Sequence, residues 1–376
     1  MTYKDAISFA RDGEIADLLA QAAAIRDDTW GRTITYSRKV FVPLTNMCRD
    51  TCGYCTFVKH PSSPEANILS PDQVLQMARK GERQGCKELL FSLGEKPELR
   101  YAKAKAGLAA LGHDRMTDYL AEMCALVLRE TTLLPHVNAG TLADDEIDVL
   151  RPVAASMGMM LETVSRRLTR AGQPHHACPD KQPMQRLRTL ERTGQKGVPF
   201  TTGLLIGIGE TWEERIDALI AIQAAHARHG HIQEVIIQNF QRKPDIAMAQ
   251  HPEPDLDDML RTIAAARIIL APEVSLQAPP NLSKRHLAYL EAGINDWGGI
   301  SPVTIDFINP QHEWPEIATL SASCAQAGFS LNERLTIYPR FHQQGDQFLD
   351  PALQSRVAGM ARADGLARAQ CLEARP

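Results

Sequence analysis

Three thiols fall inside eight residues of the chain: Cys48, Cys52 and Cys55, in the stretch "CRDTCGYC". They follow directly on the apolar run "RKVFVPLT" at 38–45. Thiolates grouped in this way ligate zinc or iron–sulfur clusters. A closed zinc site takes four ligands, usually as two pairs. No second Cys-x-x-Cys exists, and the nearest histidine, His60, is followed at once by Pro61. A structural zinc site completed by a distant histidine is the alternative reading. A 4Fe-4S cluster normally takes four thiolates, so three on one loop leave one iron open to an exchangeable ligand. Of the other cysteines, Cys178 follows His175 and His176 closely enough to raise a second metal site, but no spaced partner pair supports one. Cys86, Cys124, Cys324 and Cys371 are scattered singly. A secreted disulfide scaffold is shorter and denser in cysteine, so the expected setting is a reducing, cytoplasmic one.

Such chemistry has to be positioned. Short apolar runs recur at 38–45, 88–94, 133–140, 156–165, 200–209, 234–240, 274–279 and 300–308. They have strand length and lack clean polar alternation, as strands covered on both faces do. Helix starts lie between them: Ser70 with Pro71 and Gln73, and Thr211 with Glu214, form capping boxes. Strands alternating with helices imply a parallel sheet, and eight such units fit an α/β fold of the (β/α)8 barrel type. A partial (β/α)6 barrel with C-terminal additions is the alternative, since the last two runs are the least regular. The expected division is a helical lead-in over 1–32, a barrel over 33–345 and a helical tail over 346–376. Barrel enzymes keep their sites at the C-terminal ends of the strands, where the loop 48–55 would then sit.

The 376 residues are 44% hydrophobic, with a formal net charge of −4 and no lysine or arginine block. Nucleic acid and anionic membrane are therefore poor partners. Charges recur every few positions through the first 25 residues, unlike a signal peptide, and no run approaches the length of a membrane span.

"CRDTCGYC" resembles the radical S-adenosylmethionine (SAM) signature, Cys-x3-Cys-x-aromatic-Cys, with Tyr54 as the aromatic. The resemblance implies a 4Fe-4S cluster held by Cys48, Cys52 and Cys55, whose open iron chelates SAM. It also implies that one electron from an external reductant cleaves SAM to methionine and a 5′-deoxyadenosyl radical. "SLGEKPE" falls where the superfamily carries a Gly-Gly-Glu-like element. The sequence departs from it at Leu93, which leaves backbone contact by Gly94 and Glu95 with the SAM amino group. Glu162 suits the ribose diol and Arg167 the methionine carboxylate, which a guanidinium can clamp with parallel hydrogen bonds. "GLLIGIGET" resembles the glycine-rich fifth strand against the adenine, with Gly207 and Gly209 allowing close approach.

Longer stretches narrow the resemblance. "YSRKVFVPLTNMCRDTCGYCTF", "GCKELLFSLGEKPELRY", "IIQNFQRKP", "QAPPNLS" and "WGGISPVTIDFINP" look like the CofG-type subunit of 7,8-didemethyl-8-hydroxy-5-deazariboflavin synthase, over roughly 33–340. That family makes the deazaflavin chromophore of coenzyme F-420. It implies a small-molecule substrate, a hydroxybenzyl–ribityl-aminouracil adduct supplied by a CofH-type partner, which the CofG-type half oxidises and cyclises with loss of ammonia. Gln238, Asn239, Gln277 and Asn281 could pair with the uracil. Asp306 is the first candidate catalytic carboxylate and Asp296 the second. His176, Asp180 and Lys181 would lie on a substrate-side loop. The rival readings are a CofH-type or menaquinone-pathway radical SAM enzyme and, in another class, a non-catalytic metal or electron-transfer module.

Overall fold

In the computed structural model, which describes residues 7–8 and 11–369, eight parallel strands close a barrel. They are β1 (Thr33–Pro43), β2 (Glu88–Ser92), β3 (Leu134–Asn138), β4 (Ser156–Gly158), β5 (Phe200–Ile206), β6 (Ile232–Asn239), β7 (Ser275–Gln277) and β8 (Asp296–Ile300). β1 closes the ring, pairing with β2 from Lys39 to Pro43 and with β8 from Thr35 to Arg38. This is the eight-unit barrel, not the six-unit alternative. An unexpected ninth strand, β9 (Ser330–Glu333), pairs with Thr33–Tyr36. The 11-residue β1 thus serves β9 with its first half and β2 with its second. Residues 1–6 and 9–10 of the expected lead-in, and 370–376 of the tail with Cys371, lie outside the described residues.

Outward-facing Val40, Val42, Leu89, Phe91, Val137 and Phe200 are fully buried in the layer between strands and helices. Both expected capping boxes form, at Ser70–Gln73 on the helix Pro71–Arg83 and at Thr211–Glu214 on Trp212–His229. The helix Ile15–Trp30 packs on Leu256–Ile269 through Leu18, Ala22 and Ala264. No helix among the described residues is long and apolar enough to cross a membrane.

Two strand expectations need correction. The run at 156–165 yields only three ladder residues. The chain leaves β4 after Gly158 and returns to pair Glu162 with Leu204, with Glu162 at φ 64°. The eighth strand is 296–300 rather than 300–308. Pro302 follows it closely, and proline has no N–H for a ladder. The apolar residues beyond it form a loop over the barrel mouth, with Ile305 56% and Ile308 37% exposed. Glycines hide the true strand from an apolar-run reading: a Cβ on Gly299 would stand 2.1 Å from the Lys39 side chain, and one on Gly298 a similar distance from Gln277.

The barrel interior departs from the usual layers of branched side chains. Lys39 pairs with Glu88 at 2.7 Å. Arg334 lies between Asp296 (2.6 Å) and Glu234 (3.0 Å), and Tyr338 donates to Glu234 at 2.9 Å. His136 contacts Ser156 at 2.7 Å. All are buried. Beneath them Leu335, Ile337, Phe341, Leu353 and Val357 pack with Leu134 and Ala155, so the chain after β9 plugs the N-terminal end of the barrel. Because the interior is charged rather than filled, a lumen of about 190 Å³ survives above this plug.

Burial alone raises the Glu88 carboxyl, but Lys39, His136 and Arg334 outweigh it and hold it down at about 2. Burial, reinforced by Lys39 and Arg334 against the pull of Glu88, holds His136 down at about 4. A carboxylate depressed on folding stabilises above its unfolded pKa, and that stability is lost as pH falls through the folded value. In chemical denaturation, Glu88→Gln should therefore cost roughly 3 kcal/mol at neutral pH. It should also flatten the acid limb between about pH 4.5 and 2, while the His136 contribution between about 6.5 and 4 persists.

Candidate active site

The cysteine loop leaves the C-terminal end of β1 and is held from below by the loop after β2. Gly94 donates to Thr45 O at 2.8 Å, and a Cβ on it would stand 2.0 Å from Met47 O, so only glycine fits there. Next to it, the Glu95 N–H points at Cys48 Sγ at 3.1 Å, and the Asp50 N–H reaches the same sulfur at 3.4 Å. N–H groups aimed at a ligand sulfur orient it and tune the metal it holds. Arg49, between the first two thiols, grips Asp180 with two contacts.

Cys48, Cys52 and Cys55 line one cavity of about 260 Å³, together with Tyr54, Gly94, Glu95, Glu162, Lys181, Arg186, Leu205 and Asn239. It adjoins the barrel lumen: Ser92, Asn138, Met159, Met160, Gln238, Ile308 and Asn309 border both. The loop at 301–309 roofs the lumen. The Phe41 and Trp314 rings stack at 5.3 Å beside it, and Thr56 donates to Ile308 O at 3.2 Å, tying roof to cysteine loop.

Glu162 organises the outer cavity. Its left-handed backbone, unusual for a non-glycine residue, brings the carboxylate inward to accept from the Tyr54 hydroxyl and to pair with Lys181 at 2.5 Å and His175 at 3.1 Å. Burial raises the Glu162 carboxyl, but Lys181, His175 and Arg186 hold it well below the usual range. Burial lowers the His175 pKa, against the pull of Glu162.

The sequence-derived candidates divide on these surfaces. The three cysteines, Tyr54, Gly94, Glu95, Glu162 and Asn239 meet in the outer cavity; Gln277 and Asp306 border the lumen, and Gln238 both. Arg167 borders neither: it bonds Gly209 O at 2.6 Å and Glu214 at 2.8 Å, and Arg186, 3% exposed, is the guanidinium in the cavity wall. Gly207 and Gly209 also lie off the cavity. Their φ values of 83° and 104° wrap the loop so that Gly207 and Ile208 donate to Glu210, while Leu205 faces the cavity. His176 is exposed, and its neighbour His175 points inward. Asp180 supports the cysteine loop through Arg49 instead of facing the lumen. Asp296 borders neither cavity; its oxygens accept from Thr35, Gly298 N–H and Arg334. Asn281 acts on Asp306, donating at 3.0 Å, and Asp306 also accepts from the N–H groups of Ile308 and Asn309, which orders the roof.

His175, His176 and Cys178 do not converge as a second metal site. Cys178 Sγ lies 3.8 Å from Cys52 Sγ, accepts from the Thr51 N–H at 3.3 Å, and is absent from the cavity wall. Sequence reading missed Arg186, Lys39, Glu88, His136, Glu234 and Arg334. A charge inside an apolar strand, as in "RKVFVP", "KELLF" and "QEVIIQ", was the signal that could have found Lys39, Glu88 and Glu234. No local pattern marks Arg186.

The residues present fit a metal cluster with a zwitterionic, ribose-bearing ligand. Burial pushes the Cys48 and Cys55 thiols up, so ionising them calls for cationic charge in their midst, as iron provides. Asp50 Oδ2 and Asn239 Oδ1, buried acceptors in the same wall, have no donor among the described residues and suit an ammonium or hydroxyl.

Comparison with known proteins agrees with this arrangement. The sequence pattern of the radical SAM superfamily matches residues 42–222. The chain is 49% identical over 372 residues to the FO synthase of Streptomyces avermitilis, covering 96% of this chain and 43% of that protein. It therefore spans less than half the length of that relative. It is 49% identical over 314 residues to the 7,8-didemethyl-8-hydroxy-5-deazariboflavin synthase of Methanopyrus kandleri, covering 83% of this chain and 93% of that one. In fold, it is similar to the FeFe-hydrogenase maturase HydG from Carboxydothermus hydrogenoformans, with TM-score 0.72 at 17% identity, over 95% of this chain and 84% of that one. It is similar also to methylornithine synthase, with TM-score 0.65 at 15% identity, over 87% and 92%. Barrel and cysteine loop together define a radical SAM protein. Within that superfamily, the chain belongs to the 7,8-didemethyl-8-hydroxy-5-deazariboflavin (FO) synthase family.

With Arg186 rather than Arg167 in the wall, SAM titrations of iron-loaded protein should give a dissociation constant within about twofold of the parent for Arg167→Ala. For Arg186→Ala, losing a charged hydrogen-bonding partner should weaken binding by roughly tenfold or more.

Proposed function

We propose that this barrel cyclises 5-amino-5-(4-hydroxybenzyl)-6-(D-ribitylimino)-5,6-dihydrouracil to 7,8-didemethyl-8-hydroxy-5-deazariboflavin, releasing ammonia. The observation that carries this reading is the three-cysteine cavity set against a barrel lumen with apolar walls and a charged floor, in a chain that matches almost the whole of the Methanopyrus kandleri synthase. A 4Fe-4S cluster on Cys48, Cys52 and Cys55, with SAM on its open iron and an external one-electron reductant, would supply a 5′-deoxyadenosyl radical.

This chain's residues would do the rest. The N–H groups of Glu95 and Asp50 orient Cys48. Asp50 and Glu95 offer acceptors to the amino group of SAM, and Arg186 offers donors to its carboxylate. Glu162, steadied by Lys181, His175 and Tyr54, faces the ribose, and Leu205 meets the adenine. Gln238, bordering both cavities, and Gln277 present amides to the uracil. The roof at 301–309, ordered by Asp306, keeps water from the reacting centre. The adduct would come from a CofH-type enzyme. No side chain of this barrel is assigned to making it.

Two measurements test the proposal. Anaerobic, iron-loaded protein with SAM and reductant should form fluorescent deazaflavin from the hydroxybenzyl adduct and none from tyrosine plus the aminouracil. The reverse pattern would make it a CofH-type enzyme. Iron analysis should show that Cys48→Ala, Cys52→Ala or Cys55→Ala loses most of the cluster, whereas Cys178→Ala keeps the parent's complement. Iron loss in Cys178→Ala equal to that in the other three would overturn three-thiolate ligation.

A further inference from the structure

Along the inner face of β3, Asn138 reaches the boundary between the two cavities, His136 lies deeper in the lumen, and Leu134 belongs to the apolar plug. Two strand residues advance about 7 Å, so the deep end of the lumen lies about that far below the boundary. Its walls at that depth are Lys39, Glu88, His136, Thr201, Glu234 and Arg334. Above them the walls turn apolar, with Phe41, Leu90, Ile236 and Trp314. The lumen is thus a flat-walled apolar band over a charged floor.

The floor has free hydrogen-bonding capacity. His136 Nδ1 meets Ser156 Oγ at 2.7 Å, and Ser156 also bonds Thr336 O at 3.0 Å. Thr336 Oγ1 also lies 3.3 Å from Nδ1, so the hydroxyls of Ser156 and Thr336 engage Nδ1 and leave Nε2 to face the lumen, as donor or acceptor according to the tautomer. A Cβ on Gly158 would stand 2.9 Å from Nε2; glycine keeps that side of the ring open to the lumen. Lys39 makes one hydrogen bond, to Glu88, out of the three an ammonium can donate.

We infer that this floor is a polyol subsite, which takes the ribityl chain of the substrate and holds the rings up at the cavity boundary. The inference rests on the deazaflavin-synthase reading. Hydroxyls donate and accept at once, so a polyol can satisfy a carboxylate, an ammonium and an imidazole nitrogen in either tautomer together. A phenol ring at the same depth would desolvate those charges without replacing their hydrogen bonds. Five carbons in extended form span roughly 5 Å, and about 6 Å with the terminal hydroxyl, from ordinary bond lengths, close to the depth of the floor. The ribityl chain is attached to the nitrogen that joins the new ring. Anchoring the chain below therefore sets that nitrogen at the boundary, with the rings in the apolar band against Phe41 and Trp314.

The test compares two ligands on the parent protein, iron-loaded and with SAM but without reductant: the adduct, and the same adduct with N-ethyl in place of N-ribityl. The ethyl analogue should bind on the order of tenfold more weakly or worse, since each hydrogen bond to a charged group counts for about that much. In His136→Phe, and in Gly158→Ala, which adds a methyl against Nε2 without removing a polar group, that ratio should shrink several-fold, with thermal melts confirming folding. Equal affinities in the parent, with the adduct still turned over, would overturn the subsite and leave the proposed reaction standing. Neither binding nor turnover of the adduct would sink the proposed reaction, and the inference with it.

Discussion

A guanidinium caught between two carboxylates at the base of the barrel governs what the rest of the interior can be. Arg334 comes from the chain after β9 and meets Asp296 on β8 and Glu234 on β6. It thereby ties the plug to the barrel with buried charges. Buried ions persist only where partners and hydrogen bonds are complete, and here Thr35, Tyr338 and Gly298 complete them. Once the interior is committed to fixed charge, the bulky branched side chains that normally fill a barrel are excluded. The lumen stays open up to the strand ends.

That open lumen lets the two cavities act as one site with divided duties. The outer one, walled by the cysteine loop, Glu162 and Arg186, has the chemistry of a cluster with a zwitterionic ligand. The inner one has apolar walls over a charged floor. They meet at Asn138, Met159, Met160 and Gln238. The break in β4 makes the meeting possible: it swings Glu162 into the outer wall and leaves Met159 and Met160 at the threshold. A reactive centre formed at that threshold would face walls and a roof rather than solvent.

Legibility followed the range of the interactions involved. The cysteine loop and the capping boxes at Ser70 and Thr211 could be read directly, because their spacing within a few residues is the chemistry. Apolar runs located seven of the eight barrel strands. The eighth was misplaced because glycines and Asp296 stand where an apolar run was sought. Gln238 and Gln277 were read toward the uracil and Asp306 toward the substrate from their positions in or at the ends of expected strands, and Glu162 toward the ribose of SAM from its position just beyond the fourth. Arg167 and His176 were named where the structure has Arg186 in the cavity wall and His175 turned inward, since a one-dimensional reading cannot tell which side of a turn faces inward.

By itself the sequence determined the initiating chemistry and the barrel, since both depend on local order: three thiols on one loop, and strand, turn and helix recurring in step. Only the tertiary structure decided the charged floor. Lys39, Glu88, His136, Glu234 and Arg334 are scattered over nearly 300 positions, and nothing in the local order says that they meet. Closure brings them together because alternate residues of a strand face inward, and burial then obliges each charge to find its opposite.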